Sequence, residues 1–268
     1  MSLTWFPEPS ILAGYGLLGL CAGVLAGLLG VGGGLIIVPA LIYLFLWQGL
    51  PADQVVHLAV GTSLATIIAT ASASLRAHHR RGAVQWRLVR GLAPGLVVGG
   101  WFGAWLAEGM NTLWLQRSFA VFALAVAAQM VLGRQPSTHR QPPGTVGLVT
   151  AGGVIGTVSG VVGIGGGSLS VPFLSWWGVS IRYAVATSAA CGLPIAVGGT
   201  LGFLLLGPAA GDTASLGHVH WPAALAVAAV SVISAPWGAA LAHRLPVILL
   251  KRVFALLLAA VGLRLLLG

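Results

Sequence analysis

An all-α membrane protein built from two inverted-topology repeats, each containing a glycine-broken helix hairpin, is the fold that three observations predict. They are a set of long uncharged apolar runs, an internal duplication, and basic residues that change sides between the two copies. The runs come first. Of 268 residues, 57% are hydrophobic and only 6% charged, against about 25% charged in an ordinary soluble domain. Ile11 to Leu29, Tyr183 to Leu206 and Trp221 to Ala242 contain no Asp, Glu, Lys or Arg, and each is near the roughly 20 residues that cross hydrocarbon as a helix. The period-2 alternation of a membrane barrel is missing.

The duplication is read directly. Gly23 to Pro39 is GVLAGLLGVGGGLIIVP and Gly156 to Pro172 is GTVSGVVGIGGGSLSVP. Ala59-Val60-Gly61-Thr62-Ser63 is answered by Ala184-Val185-Ala186-Thr187-Ser188, and Gly103-Ala104 with Arg117 and Phe119 by Gly238-Ala239 with Arg252 and Phe254. Three regions follow: an N-terminal repeat, 1–132; a proline-rich polar linker, 133–144; and a C-terminal repeat, 145–268. Each repeat holds five apolar pieces: about 11–29, 35–48, 54–75, 88–107 and 113–132, then 145–162, 168–178, 183–206, 221–242 and 247–267. The second piece of each is too short to span and forms, with the piece before it, a hairpin around a glycine hinge.

Charge sets orientation. Arg76, Arg80, Arg81, Arg87 and Arg90 share one connection, which the preference for basic residues on the cytoplasmic side assigns to that face. Linker residues Arg134 and Arg140 join them. In the second copy the basic residues are Arg182, Arg244, Lys251 and Arg252, whereas Gly207 to His220 has no Lys or Arg. Equivalent loops therefore face opposite sides, both termini are expected to be periplasmic, and only Arg117 and Arg264 of the 13 basic residues must snorkel from helix ends. The net charge of +9 is an orientation signal rather than a nucleic-acid footprint. The first ten residues lack Lys and Arg, and no cleavage site follows the first apolar run, so a removable signal peptide is not expected.

The candidate site consists of the glycine loops and the hydroxyl pairs. Gly30, Gly32, Gly33 and Gly34, with Gly163, Gly165, Gly166 and Gly167, leave backbone uncovered at membrane depth, where irregular chain must be buried by protein or line a cavity. Amides opening the next short helix point toward an anion. A dinucleotide loop is excluded, since Leu35 and Ser168 occupy the third glycine position and no strand and helix alternation surrounds them. Thr62, Ser63, Thr187 and Ser188 offer hydroxyls, either to a small oxyanion or back to their own helix. Pro39 and Pro172 are expected to end the stretch after each loop, and Gly192 with Pro194 to interrupt the eighth piece. The GxxxG pairs Gly23/Gly27 and Gly156/Gly160 read as close helix contacts.

Catalysis is disfavoured. Glu8, Asp53, Glu108 and Asp212 are the only carboxylates, all in loops or at ends, so paired acid and base work, cation passage and a buried proton-coupling carboxylate lack residues. Cys21 and Cys191 read as small core residues. His57, in the place of Arg182, reads as an interfacial polar residue, with binding or carrying a proton as the other reading. His78, His79, His218 and His220 are expected in loops; the last two lack the further ligands a metal needs, and neither metal nor cofactor is expected.

These doubled G-x-x-G-x-G-G-G segments ending in Val-Pro, each followed by Ala-Val-x-Thr-Ser, resemble the TauE/SafE sulfite exporter family over nearly the whole chain. The resemblance implies a multispan permease of the cell inner membrane, usually of about eight helices, that moves sulfite, sulfoacetate or related organosulfur anions. It implies a substrate-binding role for the repeated motif residues named above, with Ala186 in place of Gly61 as a departure. The expected partners are a small anion and the lipid bilayer, with self-association open. Alternating access is the expected mechanism, and a passive anion channel is the other reading of the same features.

Overall fold

A computed structural model describes residues 8–30, 33–132, 143–207, 214–241 and 247–267, with the backbone alone described for Leu29 and 247–254. Most of the linker, with Arg134 and Arg140, lies outside the described residues, as do Gly32, Asp212 and Arg244; so do the side chains of Lys251, Arg252 and Phe254. Ten helices are described: α1 Pro9–Leu29, α2 Gly34–Trp47, α3 Val55–His79, α4 Trp86–Glu108, α5 Thr112–Leu132, α6 Thr145–Val162, α7 Gly167–Trp176, α8 Ile181–Leu206, α9 Trp221–Leu241 and α10 Val247–Leu267. Six of them, α1, α3, α5, α6, α8 and α9, are long and apolar enough to cross a membrane.

Glycines start and stop the two hairpins. α1 ends where Gly30 turns left-handed, φ 67, its N–H reaching the Ala26 carbonyl, and α6 ends the same way at Gly163, φ 76, on the Ser159 carbonyl. Left-handed Gly33 and Gly166 then cap α2 and α7, a conformation that costs other residues roughly 1–2 kcal/mol. At 14 residues α2 is about 21 Å long, and 10-residue α7 about 15 Å. Both fall short of the ~30 Å hydrocarbon layer.

Pro39 and Pro172 do not end these stretches. Each sits in the sixth position of its helix, because a proline this near an N-terminus sacrifices a single intrahelical bond, the one its absent N–H would make to Leu35 or Ser168. Nor is the eighth piece interrupted: α8 continues through Gly192 and Pro194 to Leu206. His78 and His79 close α3 rather than lying in a loop. A two-stranded hairpin, β1 Ser215–Leu216 and β2 Val219–His220, turns at left-handed Gly217 where a featureless loop was expected.

Packing runs mainly between the halves. α1 lies along α9, α6 along α4, α5 along α10, and α3 meets α8; within each half, α2 rests on α3 and α7 on α8. Small residues permit the closest approaches. A Cβ on Gly27 would stand 2.0 Å from the Ala235 carbonyl, and one on Gly95 2.0 Å from that of Val149. Gly23 meets Ser231 and Ser234, and Gly156 and Gly160 meet the α4 backbone at Leu96 and Gly100, so both GxxxG pairs make helix contacts as expected. Cys191 is buried, but Cys21 is exposed, since α1 turns its glycine face, not this one, to α9. α3 and α8 are the most enclosed of the six long apolar helices.

Candidate functional site

Each glycine corner meets the Thr-Ser pair of the opposite half beside the crossing of α3 and α8. Ser63 Oγ donates to the Gly163 carbonyl at 2.8 Å, and Ser188 Oγ to the Gly30 carbonyl at 3.2 Å. Each hydroxyl therefore fastens the glycine corner of the opposite half. Both serines are fully buried, as are Thr62 and Thr187. Thr62 Oγ1 accepts the His220 amide at 2.9 Å, and Thr187 Oγ1 accepts the Gln85 amide at 3.1 Å. His220 and Gln85 immediately precede α9 and α4, so the four contacts form two matched sets. An accepting threonine keeps its own hydroxyl hydrogen to donate. None of the four hydroxyls bonds back to its own helix; Thr66 and Thr70 do, to the carbonyls of Thr62 and Thr66.

The loops are also matched in what they touch. Gly30 abuts the Val185 carbonyl and Gly163 abuts Val60, its counterpart. The Gly33 corner turns beside the Ala22 carbonyl, and Gly166 beside Ile195. Space at the crossing is tight: a Cβ on Gly34 would lie 2.6 Å from the Gly163 carbonyl, and one on Gly192 2.8 Å from that of Gly165. Pro39 and Pro172 stand one turn beyond the loops, away from these hydroxyl contacts.

Three serines that the sequence reading did not assign distinguish the second loop. The hydroxyls of Ser159, Ser168 and Ser170 are buried without a hydrogen-bond partner among the described residues. Ser159 lies in the last turn of α6, whose Gly163 cap binds its carbonyl, and Ser168 and Ser170 open α7. The first bonds inside α7 run from Leu169 and Ser170 N to the Gly166 carbonyl, at 3.1 and 2.7 Å, which leaves the Gly167 and Ser168 amides ahead of the ladder. No acidic residue occupies the first turn. The corresponding positions of the first half are Ala26, Leu35 and Ile37, so only the second loop has this polar lining. Comparing the copies residue by residue would have exposed that difference in the sequence.

A converse asymmetry marks the long central helices. Thr62, Thr66, Thr70, Ser74 and His78 recur every four residues along one side of α3, all buried. Thr70 Oγ1 meets Ser231 Oγ at 2.6 Å, and His78 Nε2 meets the Gly27 carbonyl at 3.2 Å. After Thr187 the matching positions of α8 are Cys191, Ile195, Gly199 and Phe203.

Residues 15–265 match the family described as sulfite exporter TauE/SafE. A probable membrane transporter protein of Haemophilus influenzae is 36% identical over 252 residues, covering 92% of this chain and 94% of the relative. One from Xylella fastidiosa is 32% identical, covering 90% and 89%, and the probable membrane transporter YunE of Bacillus subtilis 26% identical, covering 91% and 93%. No solved structure matches. Transport rather than catalysis is the common description, which agrees with the scarcity of acid and base residues. With six helices able to span a bilayer and a family match over nearly its full length, this chain is a multi-pass membrane protein that belongs to the sulfite exporter TauE/SafE family.

Proposed function

We propose that the protein carries a small anion, sulfite or an organosulfonate, across the cell inner membrane by alternating access of two inverted repeats. The observation that carries this reading is the second glycine loop, where α7 opens with amides ahead of its ladder and three serine hydroxyls on the flanking helices are buried with no partner among the described residues. Oxyanions accept several hydrogen bonds, and a helix N-terminus favours negative charge. Such a site binds by hydrogen bonding alone, which lets cargo leave again. The family's name supplies the sulfur.

Inversion is supported by the placement of basic residues and by the matched cross-half hydrogen bonds, which let the halves exchange roles as they rock. It puts both termini in the periplasm. Radiolabelled sulfite exchange into proteoliposomes tests the reading. Wild-type protein should exchange label faster when unlabelled sulfite is loaded inside, a response that a passive channel lacks. The double variant Ser168→Ala, Ser170→Ala should lose about tenfold in affinity, the loss of a hydrogen bond to a charged group being worth about 1.5–3 kcal/mol. Undiminished exchange by a folded double variant would remove the loop from the cargo path.

A further inference from the structure

A cluster of ionisable side chains lies away from the glycine loops, at the end of α3 where the β hairpin docks. It is made of His57 near the start of α3, His218 in the hairpin turn and Glu108, the last residue of α4. His218 Nε2 stands 2.9 Å from Glu108 Oε2. The His57 and His218 ring centroids lie 5.1 Å apart, with the planes tilted by 32°. His57 and His218 are 7% and 5% exposed, while the Glu108 side chain is 30% exposed and joins the cluster to solvent.

The hydrogen bonds fix one ring. His57 Nε2 lies 3.1 Å from both the Ala107 and Met110 carbonyls. Carbonyls only accept, so Nε2 carries hydrogen and donates to them. Around His218, α8 contributes the edge of Phe203. The hairpin's other histidine, His220, has its ring against Phe45 of α2. The charges that act on His218 are Glu108, which favours its protonated form, and His57, which opposes it; burial opposes it more strongly still and pulls the imidazole below its ordinary value. A proton held there is released more readily than from a free imidazole.

Charge counting sets the stoichiometry. With both rings neutral the cluster is negative, with one proton it is neutral, and with two it places adjacent imidazolium rings in an enclosed space beside a single carboxylate. The last state is strongly disfavoured. The cluster also touches the candidate cargo machinery: the His218 carbonyl packs against Gly61, and the His220 amide binds Thr62 Oγ1 at 2.9 Å. At the matching positions of the other half Arg182 takes the place of His57, Ala186 that of Gly61, and Ala83 that of His218, so the pair of histidines belongs to one copy rather than to the shared repeat unit.

We propose that His57, His218 and Glu108 form a binding site for a single proton, positioned so that its occupancy is felt through the hairpin at Thr62. The proton enters from solvent at Glu108 and resides between Glu108 Oε2 and the imidazoles, without any other bond forming or breaking. The site does not depend on what the cargo is, and its test needs no cargo. Protein labelled with ¹⁵N-histidine, in lipid nanodiscs, is titrated from about pH 8 to 5 by NMR, with rings assigned by single His→Gln variants. His218 should titrate with a midpoint that falls by about one unit or more in Glu108→Gln and rises in His57→Gln. The His220 amide should shift with the same midpoint as His218. A midpoint that stays in place in either folded variant, or a His220 amide that is flat across the titration, overturns the proposal; should Glu108→Gln fail to fold, His57→Gln decides.

Discussion

Ser63 and Ser188 look interchangeable with any small residue that a membrane helix buries, yet each holds a carbonyl that the chain leaves bare where it turns at glycine. Removing either hydroxyl strands that carbonyl in a dry setting. Ser63→Ala and Ser188→Ala should each lower the stability of purified protein by about 1 kcal/mol, read as a lower midpoint in denaturant unfolding, with similar losses because the two bonds are counterparts. A neutral result at both would mean the corners are held by packing alone. At this scale the sequence was half legible. The Thr-Ser pairs and the glycines were singled out for a role with cargo, not as each other's partners: the carbonyls that Ser63 and Ser188 bind sit 100 and 158 residues away, and local patterning carries no information about such contacts. Ser159, Ser168 and Ser170 were overlooked for a different reason: attention to what the copies share hides the positions where they differ.

Helices were the most legible level, because an uncharged apolar run of spanning length has few alternatives in a bilayer. The pieces 145–162 and 247–267 match α6 and α10 at both ends, and the other eight deviate by a few residues. Failures came at proline and at the hairpin. Pro39, Pro172 and Pro194 lie inside helices that neighbouring helices support, a compensation invisible from propensity. The 215–220 hairpin is too short to show alternation. Glycine faces make a sharp prediction here. Gly27→Leu drives a side chain into the α9 backbone at Ala235, whereas a Cβ on Gly16 in the same helix meets nothing within 4 Å. Membrane-extracted Gly27→Leu should therefore lose its monodisperse folded peak in size-exclusion chromatography while Gly16→Leu keeps it. Equal behaviour of the two would show that α1 does not dock through this face.

For the molecule as a whole, inverted topology is the proposition most open to direct test. Reporter tags inserted beside Gly82, between α3 and α4, and at Gly217, in the hairpin turn, should fall on opposite sides of the membrane, as judged by labelling with an impermeant thiol or protease reagent. Finding them in one compartment would end the inverted reading. What the duplication did not disclose is how thoroughly the copies are interleaved. Two similar segments in a row suggest neighbours, each with its own core, whereas here the strongest pairings run from one copy to the other and each copy's serine secures its counterpart's bend. Neither copy is thus a finished object. While the ribosome is still making the second, the first must wait in the bilayer with its corner undone, and a gene shortened to one copy could yield a workable protein only by pairing two identical chains head to tail.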